Sequence, residues 1–485
     1  MKRRRLVLLG LDAADIDLVE AHRGSLPTLR RVLEDAAVAR LESTAGLLPG
    51  SVWPTFATGT PPGVHGVYHH LQWDAAGMRL RRVAADWLDW EPFWNDLEQR
   101  GLDVAVLDVP MTFPSQRARG IEIMNWGSHD QLGPFAARPA AVGSEVRRRF
   151  GRRHPMGYEI PVDKTPAQLG RIRRNLVAGA ARKGELARWL LGQREWDLFL
   201  AVFGETHRGG HLLWPETSQD SLDALLDVYR AVDAALGAVI GAVARDATIV
   251  VFSLHGMGPN ISQEHFVPLV MDRLNAGLLA TPRGGGGPAR GGLVRWLRDR
   301  VPAGVQNAIA RAVPVAARDE VMNRQITGGR DWARTPGLAL LADLNGYLRW
   351  NLRGRERDGL LDADGDALRR YAERTAECFR GLRAADGGTP LVADVVLARD
   401  AFAGPRVGNL PDAVVTWSQM PPVARVQSEH VGAIAAALAT GRGGNHRPVG
   451  FCAILGTEEA RRHAAQVRHI ADLAPLVTER LLGPT

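Results

Sequence analysis

The chain has 485 residues, of which 45% are hydrophobic, 23% charged and 6% aromatic. These fractions exclude disordered, collagenous and disulfide-scaffold proteins, and the length allows three ordinary domains or one large core with insertions. The net charge of +7 is small over this length, and only Lys2, Lys164 and Lys183 among the 60 basic residues are lysines, a bias read as codon usage, so nucleic acid is not the expected partner.

In chain order, the first apolar run covers only Leu6 to Leu11 before Asp12, Asp15 and Asp17. That is shorter than the apolar core of an export signal. Nowhere do 18 apolar residues run together, as a membrane span needs. Cys378 and Cys452 are too few for a disulfide framework. The expected compartment is the cytoplasm.

Short apolar runs then alternate with amphipathic stretches. Arg5–Leu11, Asp103–Asp108, Leu198–Phe203, Thr248–Ser253, Ala413–Trp417 and Phe451–Leu455 read as buried strands. Leu26–Asp35, Trp90–Arg100, Leu222–Arg245, Leu368–Arg383 and Thr457–Leu482 read as helices, with Ser25 and Ser221 as caps for the first and third. The expected fold is α/β, a mostly parallel central sheet flanked by helices, with cap insertions. One domain over 1–485 is interrupted at about 130–190, which is Arg- and Pro-rich, and at about 262–335. The second interruption holds a flexible glycine run, Gly284–Gly287, and a basic amphipathic stretch from Leu293 to Val313, read as a cap helix.

Ligands of such sheets gather beyond the carboxyl ends of the strands, and four polar clusters fall there. Asp12 follows the first strand. His207 and His211 follow Leu198–Phe203, four apart, so one helical turn aims both the same way. His255 follows Thr248–Ser253, and His446 lies in Gly443-Gly444-Asn445-His446-Arg447-Pro448. Trp126-Gly127-Ser128-His129-Asp130 falls near the rim. Glu205 is either an orienting carboxylate for a ligand histidine or a surface residue. His65 reads as structural, and Trp87, Trp90 and Trp94 as packing.

Taken together, several motifs resemble the alkaline phosphatase superfamily, and within it the type I phosphodiesterase and nucleotide pyrophosphatase branch. They are the strand-Asp12, Trp53-Pro54-Thr55-Phe56-Ala57-Thr58-Gly59 with Pro62-Gly63-Val64-His65-Gly66, His207-xxx-His211, Ser253-Leu254-His255-Gly256 and Gly444-Asn445-His446-Arg447-Pro448. Gly346–Glu356 and Leu410-Pro411-Asp412 resemble the same branch. The resemblance implies an alkaline-phosphatase-like fold and two zinc sites at the strand ends. Carried across, one site falls on His207, His211 and His446. The other falls on Asp12, a hydroxyl in the Pro49–Ser51 region, position 254 and His255.

Two departures follow. His207 stands where the resemblance implies an aspartate, which makes a three-histidine site. Leu254 stands where a second aspartate is implied and cannot ligate. One tightly bound zinc is therefore expected, with the second site weak or empty. Ser51 is the nearest nucleophile, with capping of the next helix as its other reading. If no hydroxyl serves, a metal held by three neutral imidazoles can itself supply the nucleophile.

The expected function is metal-dependent hydrolysis of a phosphate ester or phosphodiester of a small molecule, nucleotide-linked substrates included. Asp12 and His255 are residual second-site ligands or proton-transfer groups. The alternatives are a single-zinc esterase or group-transfer enzyme on a less charged substrate, and a non-catalytic ligand-binding member. The sequence leaves the oligomeric state open.

Overall fold

The computed structural model describes residues 5–482 except 89, 116–118, 130–131, 157–164, 216–218, 244–246, 280–314, 341–342, 437–440, 457, 459–461 and 463. The glycine run and the whole basic stretch thus lie outside the described residues.

The strands that position the site are, in chain order, β1 (Leu6–Leu11), β2 (Ala37–Glu42), β3 (Val104–Leu107), β4 (Ile121–Met124), β5 (Ala136–Arg138), β6 (Leu198–Phe203), β7 (Thr248–Ser253), β8 (Gly256–Pro259), β9 (Gly337–Leu340), β10 (Gly346–Trp350), β11 (Val392–Leu397), β12 (Ala413–Trp417), β13 (Gly444–Arg447) and β14 (Val449–Leu455). Eight form the main sheet, in the order β2-β14-β7-β1-β6-β3-β4-β5. Its centre is parallel: β1 pairs in register with β6, Leu11 opposite Phe203, and with β7, Gly10 opposite Phe252. β1 and β6 are buried along their whole length, as parallel strands covered on both faces are.

Helices fill both faces. They are α1 (Pro27–Asp35), α2 (Val52–Thr58), α3 (Phe93–Gln99), α4 (Pro166–Leu191), α5 (Glu205–Leu213), α6 (Gln219–Ile240), α7 (Asp366–Arg380) and α8 (Leu473–Leu482). On one face Leu176, Leu186 and Leu190 of α4 and Leu225, Val228 and Leu236 of α6 pack with Leu9, Leu11, Phe199 and Phe203 of the sheet. On the other, Val52 and Phe56 of α2, Trp94 and Leu97 of α3, and Leu473 and Val477 of α8 cover Leu8, Leu200, Val250 and Phe252. Alternate residues of one strand thus feed two cores, each buried aliphatic side chain contributing roughly 1.5–3 kcal/mol. Within the region from 130 to 190, α4 is part of the first of these cores.

Several sequence expectations change. Ala413–Trp417 is a strand, but it belongs to a separate antiparallel sheet of order β9-β10-β12-β11. Its apolar run resembles a parallel strand because α7 and neighbouring segments bury it in a core of its own. Phe451–Leu455 lies in the main sheet but runs antiparallel to both β2 and β7. The last expected helix is broken, with a 3₁₀ turn at Ile470–Asp472 before α8. Neither serine caps. Ser25 donates its hydroxyl to the His22 carbonyl, while the first amides of α1, on Thr28 and Leu29, donate to the buried Asp233 carboxylate of α6 at 3.1 and 2.7 Å. Ser221 lies inside α6. The strand β2 has no apolar signature, since most of its residues are exposed or half-buried.

His65 is structural. Its Nδ1 accepts the Val67 amide at 3.1 Å, which leaves Nε2–H to donate to Thr55 Oγ1 at 3.0 Å. Burial, with Arg406 as a smaller cause, pulls its pKa down to about 3. The unfolded chain protonates this ring near pH 6.5 and the folded chain does not, so the neutral ring's contribution is complete above about pH 6.5 and is lost as pH falls, by about 1.4 kcal/mol per unit. Chemical denaturation between about pH 6.5 and 4 is expected to give a stability slope steeper by one proton in wild type than in His65→Gln. Equal slopes would place the proton uptake elsewhere.

Candidate metal centre

The carboxyl ends of β1, β3, β4, β6 and β7 open on one edge of the sheet, and each delivers a polar residue there. Asp12 follows β1 and is fully buried. Its Oδ1 accepts the Trp53 indole N–H at 3.0 Å and lies 3.6 Å from His255 Nε2. Its Oδ2 lies 2.8 Å from His129 Nδ1 and 3.5 Å from His207 Nδ1. Burial alone would raise the Asp12 carboxyl, but His129 and His207 beside it hold it well below the usual carboxylate range.

The expected pair on α5 faces one way: His211 Nε2 is 3.0 Å from His207 Nε2. His211 is steered by its other nitrogen, Nδ1, 2.9 Å from the Gly444 carbonyl. That contact needs α5 and β13 nearly touching, and a Cβ on Gly444 would run into the Gly210 carbonyl. β13 is antiparallel to β8, with His446 opposite Met257. This pairing carries His446 to the same point, so that one nitrogen each of His207, His211 and His446 fall within 4.8 Å of one another. Burial lowers the pKa of all three rings, that of His446 against the opposing pull of Asp343. Neutral imidazoles at neutral pH are what a metal requires.

Two residues of the cluster lack strong sequence signals. His129, placed at the rim by its sequence context, belongs to the centre. Asp343, just before β10, comes from the second sheet; its Oδ2 is 3.3 Å from His446 Nε2 and its other oxygen accepts from Arg442. The loop carrying His129 is anchored from below. Asp108, after β3, accepts the Trp126 and Gly127 amides at 2.7 Å each and pairs with the fully buried Lys183 of α4 at 2.6 Å. Arg208 of α5 donates to the Ser128 carbonyl at 3.0 Å. Glu205, the first residue of α5, is buried and 2.8 Å from His154 Nε2, so it steadies α5 and is not a surface residue. Ala13, Asp108, Asn125 and Leu344, each in or beside these loops, have positive φ without being glycine, strain that clusters at functional sites.

Ser51 is not brought to the cluster by any described contact. It is fully buried, and its hydroxyl donates to the Leu48 carbonyl at 2.6 Å beside Thr44 Oγ1 at 2.7 Å. It stands at the N-cap position of α2 but makes no side-chain cap bond. Leu254 lies in the apolar cluster that also holds Trp53, Phe56 and Phe252. Asp12 Oδ1, the oxygen nearer His255, accepts the Trp53 indole N–H.

Asp12 Oδ2 and His207 Nδ1 are buried and 3.5 Å apart, with no hydrogen bond between them. Buried polar atoms are nearly always satisfied, and lone pairs converging at about 3 Å suit a cation between them. The donor set fits a divalent metal.

A family model described as type I phosphodiesterase / nucleotide pyrophosphatase matches residues 6–326. The chain belongs to this family. As a member of the alkaline phosphatase superfamily it is a phosphoester hydrolase of the metal-dependent kind. The match takes in much of the region from 262 onward that the sequence reading set apart, and it stops before His446, so the third histidine rests on the geometry above. Phosphonoacetate hydrolase from Sinorhizobium meliloti 1021, in complexes with phosphonoformate and with phosphonoacetate, superposes with TM-scores of 0.54 and 0.53 at 15% identity, covering 99% of this chain and 96% of that one. This likeness shows the alkaline-phosphatase-like fold. A murine ectonucleotide pyrophosphatase/phosphodiesterase 5, inactive and in complex with AMP, gives a TM-score of 0.48 at 10% identity over 99% and 95% of the two chains. No curated protein sequence matches. Among the described residues no helix is long and apolar enough to cross a membrane.

Proposed function

We propose that this family member hydrolyses phosphate esters or phosphodiesters of small molecules, nucleotide-linked ones included, with a zinc ion held by His207, His211 and His446. The observation that carries the reading is the convergence of these three neutral, buried imidazoles at the strand ends. A three-nitrogen set favours zinc among common divalent ions. Bound there, such an ion supplies Lewis-acid polarisation of a phosphoryl oxygen and an activated water.

The remaining residues position and move protons. Gly444 and Asp343 orient His211 and His446 through the ring nitrogens described above, as outer partners of metal ligands do. His255 Nε2, beside Asp12 Oδ1, is placed to carry a proton at the reacting centre. Ser51 is spent on the Leu48 carbonyl, which speaks against the sequence-derived role of nucleophile. Ser51→Ala is expected to leave zinc content and kcat unchanged within about twofold while lowering stability by about 1 kcal/mol, read by elemental analysis, turnover and denaturation. A loss of activity of 10²-fold or more at full zinc content, as removal of a nucleophile produces, would restore Ser51 to catalysis.

The reading as a whole is tested by zinc content together with turnover of aryl phosphate monoesters, phosphodiesters and carboxylic esters. Phosphodiester turnover abolished by a chelator supports it. Leu254 motivates the second reading: one carboxylate fewer leaves less charge compensation for a second cation beside Asp12, and a single-zinc centre suits a less charged ester. Preferential turnover of carboxylic esters would select that reading, and zinc without turnover a ligand-binding role. A cytoplasmic location is part of the proposal.

A further inference from the structure

His207 presents its two ring nitrogens to two different groups of donors. Nε2 is 3.0 Å from His211 Nε2, in the group that His446 completes. Nδ1 is 3.5 Å from Asp12 Oδ2, which in turn is 2.8 Å from His129 Nδ1. Asp12, His129 and His207 offer three donor atoms within 4.8 Å of one another. Asp12 Oδ2 and His207 Nδ1 are buried with no hydrogen bond to each other, and the Asp12 side chain is fully inaccessible. In a tetrahedral site with bonds of about 2.0–2.1 Å, neighbouring donors stand roughly 3.3 Å apart, and the observed separations bracket that figure.

We propose that Asp12, His129 and His207 form a second divalent-metal site, and that the His207 ring bridges it to the three-histidine site as an imidazolate. The inference rests on the reading that the three-histidine group binds a metal. The second site uses Oδ2 of Asp12, whereas Oδ1 is bonded to Trp53 and faces His255. It is therefore not the site expected from Asp12, His255 and position 254.

The charge balances. A neutral imidazole carries one N–H proton; when both nitrogens bind a cation that proton leaves to solvent, as ligand protons do, and the ring carries one negative charge. No electron changes hands. The Asp12 carboxylate and the imidazolate together offset half of the charge of two dications. With about 2 Å from each nitrogen to its ion, the two metals stand roughly 6 Å apart across the ring, farther than the 3.5–4 Å of the usual two-metal clamp. A histidine in place of an aspartate at 207 then changes the spacing of the pair.

Copper(II) is the probe, because a bridging imidazolate couples the spins of two copper ions. The metal-free chain is titrated with copper(II), the bound metal counted, and the low-temperature electron paramagnetic resonance signal integrated. The expected result is two equivalents with an integrated signal well below that of two isolated ions. His129→Ala is expected to bind one equivalent with the signal of an isolated ion. Should that variant fail to fold, the wild-type count and signal decide alone. One equivalent in wild type, removed by His211→Ala, would overturn the second site and leave the three-histidine reading standing. Two equivalents with the full uncoupled signal would overturn the bridge. No bound metal would overturn both readings together.

Discussion

Replacing His211 by alanine is expected to empty the three-histidine site and reduce phosphodiester turnover to background. His211 gives one of three imidazoles, and its ring is fixed by the Gly444 carbonyl; two remaining nitrogens do not make a stable zinc site. A lost Lewis acid removes several kcal/mol of transition-state stabilisation, a rate loss on the order of 10³ or more. Because α5 keeps its other contacts, the fold should survive, and chelated wild type and the variant should melt alike. Elemental analysis and turnover measured on one preparation check this. Retention of both zinc and activity would remove His211 from the centre.

Lys183→Met is expected to cost roughly 3–5 kcal/mol, since it strands the buried Asp108 carboxylate without its partner. Both groups are fully inaccessible and 2.6 Å apart. The effect should reach the centre, because Asp108 also binds the Trp126 and Gly127 amides that carry the chain to His129. Denaturation of the variant with and without Asp108→Asn measures it: the second substitution neutralises the stranded charge and should recover part of the loss. A cost below about 1 kcal/mol would mean that water or another cation reaches Asp108.

The central part of the fold is legible in the sequence because buried parallel strands leave continuous apolar runs, and five of the six expected strands lie in the main sheet. The strand ends that carry Asp12, His207, His211 and His255 follow directly. Direction and sheet membership do not, since burial gives β12 and β14 the same apolar appearance as their parallel counterparts. β2 is hidden because it is an edge strand with few buried residues. At the centre, Asp343 is invisible because it reaches His446 from a different sheet, and the Trp53 bond to Asp12 spans 41 residues. Ser25 misleads for a related reason: the helix it precedes is capped by Asp233, about 200 residues away in the chain. Local pattern reports which residues are buried, and long-range partners decide what they bind.

The place of β14 also bears on biosynthesis. It lies between β2 and β7, and no other described strand links β2 to the main sheet. A nascent chain therefore carries an open edge on β7 until residues 449–455 leave the ribosome. His446, which precedes that strand by only a few residues, arrives with it. Most of the polypeptide is thus made before either the sheet or the three-histidine group can be completed, and an unpaired apolar edge exposed for that interval invites association with other chains.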